Sequence, residues 1–175
     1  ATTATNIETF VMKGTGYDVS EVLNVAPVVD SVTEAGTDED SDPDTVEVAE
    51  GTAAGVAVAT IAASDANAMQ GDTFTFALVD AMGDAYSGPF TLVTTGAGTA
   101  EIRVSGALDH EDAASHTVFV KLTDSKGASS TQSVSIAVLD VNEAPAVTLA
   151  ATGAGDENRA GGPIAAVPAA DPDAR

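Results

Sequence analysis

The stretch "LDVNEAP", residues 139–145, closes an alternating apolar run, "TQSVSIAVL" (131–139), with Asp, Asn and Glu inside four residues and then a proline. Alternation marks a half-buried β-strand, so a strand ends at 139 and the chain leaves through oxygen-bearing side chains. One polar residue would suffice at a solvated strand end. Three of them before a proline, which fixes φ and stiffens the exit, point to oxygens that hold something; a polar strand-end turn is the plainer alternative.

Working back from 139, runs of β-branched and aromatic residues recur between clusters of Gly, Asp, Asn and Ser. Strands are expected at "VEVA" (46–49), "VAVATIA" (56–62), "TFTFALV" (73–79), "PFTLV" (89–93), "AEIRVS" (100–105), "HTVFVKL" (116–122) and "QSVSIAVL" (132–139). Seven short strands in about a hundred residues predict an all-β, seven-stranded Greek-key β-sandwich of the immunoglobulin-like kind. No segment sustains a helical period with caps, and Gly, Thr and Val interrupt the Ala-rich parts.

Composition narrows the function. Of 175 residues 44% are hydrophobic, yet aromatics are 4% and Trp is absent, so the core is built from small and β-branched side chains and favours a thin sandwich over a deep ligand cavity. The formal net charge of −21 repels nucleic acid and anionic lipid and attracts cations. With no cysteine, disulfides, thiolate zinc sites and a Cys nucleophile are excluded. No apolar run approaches the ~20 residues of a membrane span, so no membrane insertion is expected. The opening "ATTATNIETF" lacks the regions of a signal peptide, and the chain is expected to be an internal piece of something longer.

The chain also repeats itself. "NEAPAV" (142–147) echoes "NVAPVV" (24–29), and "ENRAGGPIAAVPAADPDA" (157–174) echoes "EGTAAGVAVATIAASDANA" (50–68). Three parts are therefore expected: 1–25, the end of a preceding element or a linker; 26–145, one repeat with an acidic insertion at 37–45; and 146–175, the start of a following repeat.

Glu50, "LDHE" (108–111), "LTDSKG" (122–127) and "DVNEAP" (140–145), with "DAN" (65–67), together resemble the calcium motifs of cadherin repeats. The family pattern is a Glu near the first strand, a DxD, an LDRE, an Asp before the last hairpin and a DxNDNAP linker. The "DVNEAP" ending is most similar to the cadherin-like repeats of large bacterial surface and secreted proteins, including RTX-type adhesins. The resemblance covers about 46–145 and resumes in 146–175. It implies that Glu50, Asp109, Glu111, Asp140 and Glu143 are carboxylate ligands of Ca2+ at the junction with the next module, with Asn142 ligating through its amide or backbone oxygen. From the following module Asp171 and Asp173 match the DxD, and Glu157 the first-strand Glu. Calcium takes six to eight oxygens at about 2.3–2.6 Å, and carboxylates and backbone carbonyls supply them.

Departures from the pattern carry information. His110 replaces the family's Arg, and Glu143 stands where Asp is common. At the other end Asp65, Asn67 and Asp124 match residues that would serve a preceding junction, although Asn and Asp are also ordinary turn formers. The linker there, "EVLNVAP" (21–27), has Val22 and Val25 in place of acids, so that junction is expected to hold less calcium, or none. "DEDSDPD" (38–44) imitates the alternating acids of an EF-hand loop, but Pro43 stands where that loop needs Gly, and a solvated acidic loop is the reading. "NIETFVMKGTGYDVS" (6–20) lacks a GGxGxD repeat and reads as a strand or two of the preceding element.

No catalytic constellation stands out. His110 and His116 each have a structural reading, and "TGAGTAE" (95–101) is neither a GxGxxG nor followed by a helix. The expected function is that of a non-enzymatic, calcium-binding repeat of an extracellular, secreted or cell-surface protein, acting in adhesion or as a calcium-rigidified spacer. Expected partners are calcium and neighbouring repeats of the same chain, with homophilic contacts and surface polysaccharide or protein ligands as further candidates. The alternatives are a structural domain of a filament, surface layer or virion, and an ancillary module of a secreted calcium-dependent enzyme.

Overall fold

The computed structural model describes residues 24–36, 45–147, 169–170 and 173. Within them run β1 (Val28–Glu34), β2 (Thr45–Ala49), β3 (Ala57–Ser64), a 3-10 turn (Ala68–Gln70), β4 (Phe74–Val79), β5 (Phe90–Gly96), β6 (Thr99–Val104), β7 (Ser115–Asp124), β8 (Ser129–Leu139) and the short pair β9 (Ala146–Val147) and β10 (Ala169–Ala170). Two four-stranded sheets form, in the orders β1-β3-β6-β5 and β2-β8-β7-β4, and β9 pairs with β10 apart from them. All seven expected strands are present, within a few residues of their predicted bounds. An eighth, β1, belongs to the described sandwich as well. The sequence reading missed β1 because it lies at the edge of its sheet, shows no clean alternation of burial and carries a bulge between Val29 and Ser31.

The core follows from period-two alternation. In β7, Val118, Val120 and Leu122 point inward and are fully buried, and in β8, Val134, Ile136 and Val138 do the same. From the opposite sheet Val58, Ile61, Ile102 and Val104 pack against them, and Phe90 is the one aromatic in the buried cluster. Each fully buried Val, Leu or Ile contributes about 1.5–3 kcal/mol by leaving water, so aliphatic residues suffice to hold the sheets together.

One pairing positions the chemistry. β2 runs parallel to β8, with Ala49 opposite Leu139, whereas the other pairings within the two sheets are antiparallel. Both strands therefore finish at the same end, and the N–H of Glu50 donates to the Leu139 carbonyl at 3.0 Å. That delivers Glu50 to the side of Asp140. The end of β3, the start of β4 and the end of β7 gather at the opposite end, where Phe74 pairs with Asp124. At about 3.3 Å per residue, the 11 residues of β8 separate the two ends by roughly 35 Å.

Candidate metal centres at the two ends of the sandwich

At the C-terminal end Glu50 is only 6% exposed. Its Oε2 accepts from the N–H of His110 at 2.7 Å and its Oε1 from the N–H of Val141 at 2.7 Å. One side chain thus ties the 108–113 turn and the linker to the end of β2. These two N–H donors hold the Glu50 carboxyl below the usual carboxylate range, because they stabilise its charged form. Gly51 follows with a φ of +68°, which favours glycine, and its N–H reaches the Leu108 carbonyl at 3.3 Å.

Around Glu50 the carboxylates overlap in sets. Oxygens of Glu50, Asp109 and Glu111 lie within 4.8 Å of one another; so do those of Glu50, Asp140 and Asp173, and those of Glu111, Glu143 and Asp173. Asp109, Glu111, Asp140 and Glu143 are exposed. Asp109 Oδ1 accepts from the N–H of Asp112 at 3.0 Å, which closes the turn, and Asp173 Oδ2 accepts from the N–H of Glu143 at 2.6 Å. The Asn142 amide nitrogen donates to the Glu143 carbonyl at 3.1 Å. The Glu143 carboxyl is pushed up, first by loss of water and then by the charges of Glu50, Asp173, Asp109 and Glu111. Six acidic side chains therefore meet here at mutual electrostatic cost. Among the described residues no lysine or arginine forms an ion pair with Glu50, Asp109, Glu111, Asp140 or Glu143.

Five of the expected carboxylates of the repeat, with Asp173 of the following segment, are brought together in this way. Asp171, Glu157, the acidic run 38–44 and the segment 6–20 lie outside the described residues. His110 places Nδ1 2.6 Å from the Val138 carbonyl, and a ring nitrogen of His110 also lies near oxygens of Glu111 and Asp140. His116 packs edge-on against Phe90 with ring centroids 5.4 Å apart.

At the N-terminal end Asp65, Asn67 and Asp124 are all buried, and a fourth buried residue joins them. This is Asp72, whose carboxylate lies within 4.8 Å of those of Asp65 and Asp124. Sequence reasoning missed it because it reads as a lone turn acid before β4. Only the pairing of Phe74 with Asp124 carries it beside β7. The hydroxyl of Ser125 donates to Asp72 and is the main reason its carboxyl is held down, with Lys126 adding to the effect. Asp124 Oδ1 accepts from the N–H groups of Lys126 and Ala128 at 2.9 and 2.8 Å. Gly127, with a φ of +95°, makes this tight turn possible. The segment just before β1 docks through neutral groups: Asn24 Nδ2 donates to Asp124 Oδ2 at 2.7 Å, and the N–H of Val25 donates to Asn67 Oδ1 at 2.8 Å.

No protein-family model and no curated protein sequence matches the chain. Solved structures do. Protocadherin gamma B2 extracellular cadherin domains 3–6 align over 86% of this chain and 33% of theirs, with a TM-score of 0.57 and 22% identity. The protocadherin gamma B4 extracellular domain aligns over 86% and 22%, with a TM-score of 0.53 and 25% identity. Human protocadherin-24 EC1-2 aligns over 87% and 62%, with a TM-score of 0.52 and 20% identity. The all-β sandwich is thus cadherin-like in fold, and the chain spans less than two thirds of the length of each of these structures. Among the described residues no helix is long and apolar enough to cross a membrane.

Proposed function

We propose that this chain is a calcium-binding, cadherin-like repeat of an extracellular protein, serving adhesion or acting as a stiff spacer between neighbouring repeats. The observation that carries the reading is the C-terminal cluster, where Glu50, Asp109, Glu111, Asp140, Glu143 and Asp173 converge on the linker. Hard, flexible oxygen ligands in this number suit calcium better than magnesium, which demands near-octahedral geometry at about 2.0–2.1 Å. The residues fit such an ion: Glu50 is anchored by two backbone N–H groups, while the exposed carboxylates around it are free to adjust.

In the proposed mechanism Glu50, Asp109 and Glu111 belong to one module, Asp140, Asn142 and Glu143 to the linker, and Asp171 and Asp173 to the next module. An ion shared among them cancels their repulsion and removes hinge freedom, so that repeats set end to end behave as a rod. Adhesive contacts would then be presented by a rigid array, with further copies or surface polysaccharides and proteins as partners. Thermal melting in EDTA and in about 10 mM calcium tests this. Calcium at a hundredfold excess over its Kd is expected to add about 2.7 kcal/mol per site, with magnesium at equal ionic strength adding much less. Equal melting temperatures in EDTA and calcium would reject the reading.

A further inference from the structure

The N-terminal cluster differs from the C-terminal one in what stands among its carboxylates. Asp65, Asp72 and Asp124 are buried, with one oxygen of each within 4.8 Å of the others. Carboxylates removed from water at this spacing need a counter-charge or a proton. Asp124 is met by neutral donors, the Asn24 amide and the N–H groups of Lys126 and Ala128. One oxygen of Asp72 accepts from the N–H of Thr73 and the Ser125 hydroxyl, while its Oδ2 lies 3.3 Å from the ammonium of Lys126. The Asp72 side chain is wholly excluded from solvent, whereas that of Lys126 is 47% exposed, so the ammonium stands at the rim of the cluster. Asp65 spends Oδ1 on the N–H of Asn67, and its buried Oδ2 has no hydrogen-bond partner. Among the described residues a single ammonium thus faces three carboxylates and leaves two formal negative charges.

We propose that Lys126 determines the cation requirement of this end: its ammonium takes the place of a metal ion beside Asp72, so the N-terminal cluster holds without metal and accepts, through Asp65 Oδ2, at most one further oxygen-seeking divalent cation. The first half is independent of the calcium reading; the second half rests on it. The device explains how a linker lacking acids still docks. The Asn24 amide and the Val25 N–H are neutral donors that bind oxygens of Asp124 and Asn67 directly, with no ion between them.

Melting of wild type, Lys126→Met and Lys126→Arg in EDTA and in about 10 mM calcium decides the matter. In EDTA, Lys126→Met is expected to melt on the order of 5 °C below wild type, with Lys126→Arg close to wild type because it restores the charge. In calcium the Lys126→Met deficit is expected to shrink by about half or more, as a metal ion takes the vacated position. Equal melting of Lys126→Met and wild type in EDTA, or failure of Arg to rescue, overturns the first half; a deficit of the same size in both conditions overturns the second. A wild type that calcium does not stabilise overturns the calcium reading together with the second half, and the EDTA arm still decides the first.

Discussion

At the N-terminal end three buried carboxylates are packed with an ammonium, an amide side chain, a hydroxyl and backbone N–H groups; at the C-terminal end five acidic side chains crowd around a single anchored glutamate, and among the described residues no lysine or arginine is paired with Glu50, Asp109, Glu111, Asp140 or Glu143. The same residue type is built into two different electrostatic states. Burial calls for counter-charge at one end, since a buried charge without partners is costly to keep, and Lys126 supplies part of it. At the other, exposure to water makes mutual repulsion tolerable, because the solvent screens it. The lesson is that an acidic cluster says little about metal dependence until its counter-charges have been counted.

The largest expected effect sets the baseline for this contrast. Ile136, fully buried in the middle of β8, belongs to neither end, so Ile136→Ala is expected to cost about 2–5 kcal/mol in EDTA and in calcium alike. Chemical denaturation under both conditions measures it. A cost that calcium changes greatly would break the separation between core and ends.

A smaller effect is expected from pH. Glu143 has its pKa raised in the folded state, so its charge is a liability at neutral pH that is relieved as pH falls through the raised value, towards the ordinary 4.5. Glu50 and Asp72 have theirs lowered; they stabilise the fold fully above the ordinary values of 4.5 and 3.8, and that support is lost as pH falls further through their folded values. In EDTA these groups together should give a stability maximum near 4.5, with a modest decline towards pH 7 that calcium flattens. Melting temperatures recorded across this range, rising steadily to pH 7 in EDTA, would contradict the assignment of repulsion to the C-terminal end.

The smallest effect is expected from the acidic run. Replacing Asp38 and Asp40 with Asn should leave calcium affinity within about twofold, the loss being that of diffuse screening alone. A calorimetric titration in which this double variant loses most of its affinity would move the site away from the linker.

Much of this architecture could be read from the chain. The strands of the sandwich were legible because each alternates, and the C-terminal carboxylates because they come in two short motifs, "LDHE" and "DVNEAP", beside strand ends. What escaped did so for physical reasons. β1 is a bulged edge strand that shows no clean alternation of burial. Asp72 and Lys126 become partners only when β4 aligns with β7 and the turn after Asp124 folds back, a contact across 54 positions of sequence. The docking of the preceding linker was equally hidden, since the expectation rested on missing acids at Val22 and Val25, whereas Asn24 and the Val25 backbone N–H make the contacts.

The central claim is that the C-terminal carboxylates form a calcium clamp on the linker. Calorimetric titration of calcium into wild type, Asp109→Asn and Asp140→Ala, each also melted in EDTA, tests it most directly. Each substitution is expected to lower calcium affinity about tenfold or more while leaving the EDTA melting temperature unchanged or slightly higher, because each removes a repelling charge that no ion offsets. Calcium affinity equal to wild type in both variants, with heat of binding retained, would contradict it.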